Sequence, residues 1–272
     1  MEIKFSKMSG NGNDFIILDN RDGKYTHLYK ETPNFIEKVC ARGLSVGADG
    51  MIFIENSDKV DFKWQFFNSD GSVAEMCGNG ARCVARFAYL ENIAGKEMAF
   101  ETLAGIIKAE IMDNDEVKTM LTAPHSLELD KKVTACNKEY DIHSLNTGVP
   151  HAVIVYDNID NVDVHNIGRD IRYNKDFAIN GTNVNFIEVT GENNLKIRTY
   201  ERGVEGETLA CGTGCAASAI IALKKGLVKG TVNLLTKGGK TLRVYYDNET
   251  VYLQGEGRRV YTGNLTEEAY NY

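Results

Sequence analysis

The chain repeats itself, and this constrains its fold more than any other feature. A displacement of 134 positions lays Cys77 on Cys211, Gly78 on Gly212 and Gly80 on Gly214. The same displacement lays Ala85 on Ala219, Ala88 on Ala222, Thr102 on Thr236 and Gly105 on Gly239. A displacement of 138 brings SKMSGNGNDFIILDN, from Ser6, over SLNTGVPHAVIVYDN, from Ser144, and one of 133 brings Phe53–Glu55 over Phe186–Glu188. Small drifts between blocks are what loop insertions produce, and matches in one order along both halves mean duplication. The expected fold class is therefore α+β: two pseudo-symmetric duplicated domains. The boundaries fall at 1–123 for the repeat carrying Cys77 and 124–259 for the repeat carrying Cys211. The strand-like segment 260–272 crosses back to the first.

Each half reads as strand, strand, helix, strands. FIILD and AVIVY, then MIFIE and VNFIEV, are apolar runs of strand length, and IIKAEI and TLRVYY return as strands after a glycine turn. Ala81, Val84, Ala85 and Ala88 recur at i, i+3, i+4 and i+7, which gives one close-packed helical face. CAASAIIAL is apolar nearly all round and belongs in a core. The linker between the halves is expected within APHSLELDKK.

Composition limits the function. At 272 residues, with 43% hydrophobic and 25% charged residues, the chain is an ordinary globular protein of two domains. A net charge of −7 argues against nucleic acid as a partner. No apolar run approaches a membrane span and the opening residues lack an apolar signal core, so the expected location is cytoplasmic, with no membrane partner. Six cysteines in such a chain are not a disulfide framework, and their spacing makes no zinc site, so no metal is expected.

The chemistry sits on the repeat. MCGNGARC and ACGTGCAA each place a cysteine immediately before Gly-x-Gly at the start of a helix. Glycines there admit a ligand close to the backbone, and first-turn amides bind anions. A thiol at that position has its thiolate stabilised. Duplication about a pseudo-twofold axis brings two such helix starts to one small carboxylate. Inverting a carbon α to a carboxylate needs a base on one face and an acid on the other, which a thiolate and a thiol supply without a cofactor. Cys40, Cys83, Cys136 and Cys215 lack this context and are expected to be packing residues. A dithiol redox or anion-binding protein is the alternative of a different class.

FFNSDGSVAEMCGNGARC and YERGVEGETLACGTGCAA resemble the two signature segments of the diaminopimelate epimerase family, and MSGNGNDFIILD and GTNVNF are similar to it as well. The resemblance runs across nearly the whole chain. It implies two halves, each a mixed β-sheet curled around a central α-helix, and an isomerase that interconverts LL- and meso-diaminopimelate in lysine and peptidoglycan precursor biosynthesis. Cys77 and Cys211 are then the acid–base pair, and no cofactor is needed. The backbone of Gly78, Asn79, Gly80, Gly212 and Thr213 holds the reacting carboxylate. Asn11, Asn68, Asn183 and the Arg202 guanidinium hold the distal amino-acid end. Glu201 and His151 orient the reacting end or tune the thiols, while Asn13 remains a turn former. The sequence departs from the family at Val149, where asparagine is usual and where the repeat partner is Asn11. A racemase of the same fold acting on another amino acid is the alternative this favours. A homodimer is the default assembly for a soluble enzyme of this kind.

Overall fold

Phe15, Ile16, Ile17 and Leu18 are all buried although successive strand residues point to opposite faces, so the strand they form is covered on both sides. The computed structural model describes residues 2–32, 34–177 and 180–272. The chain divides into two units, one running to Thr119 and resuming at Gly255, the other Met120–Gln254.

In the first unit the elements are β1 (Ile3–Gly10), β2 (Asn13–Asp19), α1 (Thr26–Lys30), α2 (Phe35–Cys40), β3 (Gly50–Glu55), β4 (Phe62–Asn68), α3 (Gly78–Leu90), β5 (Glu97–Thr102), β6 (Gly105–Ile111) and β7 (Val117–Met120). The second unit contains β8 (His125–Ala135), β9 (Lys138–Asn146), β10 (Pro150–Tyr156), α4 (Val164–Arg172), β11 (Asn183–Gly191), β12 (Asn194–Glu201), β13 (Gly206–Thr208), α5 (Gly212–Lys224), β14 (Val232–Leu235), β15 (Thr241–Asp247) and β16 (Thr250–Gly255). β17 (Arg258–Leu265) follows and returns to the first unit, antiparallel to β1.

Strand pairing is the same in both units. β1–β2 and β9–β10 are antiparallel, β2–β3 and β10–β11 parallel, β3–β4 and β11–β12 antiparallel. β4–β5 and β12–β14 are parallel, and antiparallel β5–β6–β7 matches β14–β15–β16. β17 does for β1 what β8 does for β9. The expected duplicated α+β architecture of mixed sheets is present.

Each sheet packs one face on its long helix and the other on a short one. Phe15, Ile17, Ile52 and Ile54 join Ala81, Val84, Ala85 and Ala88 of α3, whereas Ile16, Leu18, Met51 and Phe53 join Phe35, Ile36 and Val39 of α2. In the second unit Val153, Ile187 and Ile197 pack with Ala216, Ala219 and Ile220 of α5, and Ala152, Ile154 and Phe186 with Val164 and Ile171 of α4. Both long helices are thus core helices, for the reasons their sequences predict.

Two expectations fail. The linker expected within APHSLELDKK is confined to its first two residues at most, because from His125 on the segment is strand β8, paired with β9 across two irregularities of register. Its side chains are mostly exposed, so it lacks the buried alternation by which strands are recognised. Cys136 is exposed rather than packed. It shares with Asn137 the two-residue turn between β8 and β9, both at positive φ (48° and 58°), the geometry that matches strand twist in a tight hairpin. Cys40, Cys83 and Cys215 are buried. Burial pushes the Cys40 thiol up to about 12 and the Cys83 thiol well above its usual range. Leu121 already bonds to the Val251 carbonyl, so the second unit begins a few residues before position 124.

Candidate active site

Cys77 and Cys211 occupy the N-cap positions of α3 and α5, both with extended backbone (φ −147° and −120°). Neither helix carries an acidic residue in its first turn, so the positive end of each dipole is not offset locally. Cys77 Sγ accepts from the Gly80 N–H at 3.4 Å, a thiol in the capping role usually taken by a serine or aspartate oxygen. Cys211 Sγ lies 3.6 Å from Thr213 Oγ1. Cys77 is half-buried and Cys211 buried.

Around α3 the predicted residues join one polar network. Arg82, fully buried in the helix, donates from Nη2 to Asn11 Oδ1 at 3.0 Å and to Asn79 Oδ1, and from Nη1 to the Gly78 carbonyl at 3.2 Å. Asn79 Nδ2 donates to Asn13 Oδ1 at 2.6 Å, and Asn13 Nδ2 to Asp49 Oδ2 at 3.0 Å. Asn13 is therefore more than a turn former: it opens β2 and links the helix start to Asp49. The available signal in the sequence was its repeat partner, His151. Arg82 was not singled out from the sequence, where it reads as one more charge on a helix. Asn11 lies at φ 52° in the two-residue β1–β2 turn, and its Nδ2 is buried with no partner among the described residues. Asn68 ends β4, exposed, with its side chain bonded to Ser72.

Farther out, Asp14 pairs with Lys7 at 2.9 Å and with Arg42 at 2.5 Å. Burial works to raise its carboxyl, but hydrogen bonds from Arg42 and Lys7 outweigh this and hold it below the usual carboxylate range.

Around α5 the network differs. Asn183 Oδ1 accepts from the Arg202 N–H at 2.9 Å, and its Nδ2 donates to the Pro150 carbonyl. His151 is paired with Asn183 in the β10–β11 register and is buried. Burial, assisted by the Arg202 charge, lowers its imidazole to about 3. Burial raises the Glu201 carboxyl above its usual range. Val149 is half-buried in the three-residue β9–β10 loop, not in a two-residue turn like that of Asn11. A β-branched side chain disfavours the left-handed geometry of Asn11, so the two repeat partners are not geometric equivalents.

Comparisons with known proteins identify the family. The family model "Diaminopimelate epimerase" matches residues 5–127 and 143–260. The chain belongs to the diaminopimelate epimerase family. A diaminopimelate epimerase of Aquifex aeolicus (strain VF5) is 49% identical over 99% of this chain and 100% of its own length. One of Archaeoglobus fulgidus is 42% identical over 97% of each. Among solved structures, a Bacillus anthracis phenazine biosynthesis protein of the PhzF family aligns with a TM-score of 0.73 at 15% identity, covering 98% of this chain and 99% of its own. A probable proline racemase from Agrobacterium radiobacter K84 aligns at 0.68 with 14% identity, over 97% and 93%. These share the fold.

Family members are isomerases, and this chain is one. Among the described residues no three His, Cys, Asp or Glu side chains are clustered to hold a metal, and no helix is long and apolar enough to cross a membrane.

Proposed function

We propose that this protein interconverts LL- and meso-diaminopimelate by removing the α-proton with one cysteine thiolate and delivering a different proton from the other cysteine's thiol, the pair being Cys77 and Cys211. The observation that carries the reading is that, in a chain of this family, each unit caps its core helix with a cysteine. As a thiolate, one cysteine removes the α-proton and becomes a thiol. The other, a thiol, delivers its own proton to the opposite face of the same carbon and is left as a thiolate. The electron pair passes transiently into the substrate's α-carboxylate, where first-turn amides of Gly78, Asn79, Gly80, Gly212 and Thr213 oppose the charge. The reverse reaction exchanges the roles, and no net charge is gained.

The distal amino-acid end is bound by Asn11, Asn68, Asn183 and Arg202. The buried, unpartnered Asn11 Nδ2 supports this, since a donor so placed is costly without an acceptor. His151 and Glu201 orient the reacting end. The repeats 1–123 with 260–272, and 124–259, each supply one thiol. The reaction needs no cofactor and serves lysine and peptidoglycan precursor synthesis in the cytoplasm, by a homodimer.

Reduced protein in heavy water, followed by proton NMR, tests this. Loss of the α-proton signal from LL- and meso-diaminopimelate, and from no single amino acid in a panel, is the expected result. Exchange on another amino acid overturns the substrate, and exchange on none overturns the epimerase reading.

A further inference from the structure

The two halves share a backbone plan, yet the floor beneath their long helices differs at one matched pair of positions. Ile52 pairs with Phe66 across β3–β4, and at the equivalent place in β11–β12 Asn185 pairs with Thr199. Ile52 and Phe66 belong to the apolar core under α3. Asn185 and Thr199 are as deeply buried, on the sheet face that Val153, Ile187 and Ile197 present to α5. A buried carboxamide in that position costs stability unless every polar atom is answered.

All of them are answered. The Ala152 carbonyl lies 3.1 Å from one terminal atom of the Asn185 amide, and because a carbonyl only accepts, that atom is the NH2 nitrogen. The opposite atom, Oδ1, takes the Thr199 hydroxyl proton at 3.0 Å. The same NH2 lies 3.2 Å from His151 Nδ1. A nitrogen facing an NH2 accepts, so Nδ1 carries no proton. Burial keeps the ring neutral at ordinary pH, and a neutral ring bare at Nδ1 carries its proton on Nε2. Nε2 is buried and has no hydrogen-bond partner among the described residues.

We infer that Asn185, held by Thr199 and the Ala152 carbonyl, is a positioning residue that locks His151 as a neutral Nε2–H donor for a carboxylate oxygen of the substrate. The inference rests on the proposed epimerase reaction for the identity of that acceptor, but not for the tautomer. His151 then cannot act as a proton acceptor at Nε2. The network also touches the helix start. A Cβ on Gly214 would overlap Asn185 Oδ1 and stand 3.3 Å from Cys211 Sγ, so the carboxamide and the thiol flank the same glycine.

The test is two-bond ¹H–¹⁵N correlation spectroscopy of reduced full-length protein labelled in its imidazole nitrogens, without substrate. The His151 signals are assigned by their absence from His151→Gln. The expected pattern is a protonated Nε2 and a bare Nδ1, unchanged between about pH 5 and pH 8, where an ordinary histidine titrates. A proton on Nδ1, or titration within that range, overturns the inference. Asn185→Asp supplies the second arm. A carboxylate facing Nδ1 draws the ring proton to that nitrogen and leaves Nε2 bare, so α-proton exchange on diaminopimelate falls about tenfold, the loss of one hydrogen bond. An unchanged tautomer in Asn185→Asp contradicts the positioning role. Wild-type spectra of the expected kind with no exchange on any amino acid leave the tautomer standing and count against the epimerase reading alone.

Discussion

Cys77 and Cys211 cap equivalent helices, but what surrounds them is not equivalent. Beneath α3 a Cβ on Gly80 would make ordinary contacts of 3.5–3.6 Å with Ile52, Phe15 and Cys77. Beneath α5 the matching glycine, Gly214, has no room for one because Asn185 is there. The first half concentrates its polarity in the helix, around the buried Arg82 with Asn11 and Asn79. The second places it in the sheet, as a neutral row from Thr199 through Asn185 to His151. The difference teaches that duplication kept the thiol, the glycines and the strand order, while the polar groups around each helix start diverged. A reaction in which one partner must be a base while the other is an acid needs no identical pair.

The largest expected effect concerns His151. Its folded value near 3 lies below an unfolded value near 6.5, so the unfolded chain binds the extra proton first. The stabilisation is complete above about pH 6.5 and is lost as pH falls toward 3, by up to roughly 5 kcal/mol. Glu201, raised by burial, acts in the opposite sense: its contribution is present below the unfolded carboxyl value and fades as pH rises through the folded one. Urea unfolding at stepped pH should show a shallower acid limb in His151→Gln than in wild type. Parallel limbs would contradict the buried neutral imidazole. No group in the first half is expected to reproduce this.

Ile52→Asn copies the second half's residue into the first without its partners. The carboxamide faces Phe66 in place of a threonine hydroxyl, and a loss of about 3 kcal/mol is expected from the unanswered polar group and the lost packing. The double change Ile52→Asn, Phe66→Thr should not recover it, since no histidine completes the row. Recovery in urea unfolding would show the floors to be interchangeable.

Gly214→Ala and Gly80→Ala form the matched pair. The first displaces Asn185 and crowds Cys211, with kcat/KM expected to fall about 100-fold, the order of one misplaced group near the reacting atoms. The second adds only van der Waals contacts and should cost less than about tenfold. Equal losses would remove the asymmetry. Val149→Asn is the smallest change. If an asparagine there reaches the distal end, KM falls by less than about tenfold with kcat unchanged, the range of one hydrogen bond.

What the sequence made legible follows what duplication preserves. The repeat exposed two units, the apolar periodicity of Ala81–Ala88 exposed α3, and the paired Cys-Gly-x-Gly segments drew attention to both helix starts. Segments whose structure depends on a partner were harder. β8 is exposed along most of its length and is a strand only because β9 pairs with it. Cys136 was misjudged because an exposed cysteine in a tight turn carries no pattern of its own. Arg82, Asn185 and Thr199 were missed for a related reason: each stands among other polar residues of its element, and which of them is buried is not visible in one sequence. The alternation Asn183–Val184–Asn185 at the start of β11 was the available signal, since a strand places both asparagines on one face.

The most direct measurement compares Cys77→Ala and Cys211→Ala, each confirmed folded, for conversion of LL- to meso-diaminopimelate in heavy water with deuterium at the α-carbon read by NMR. Both are expected to lose conversion by about 1,000-fold or more, as the loss of an acid or a base allows. A variant that still interconverts the two isomers at near the wild-type rate would contradict the two-thiol account.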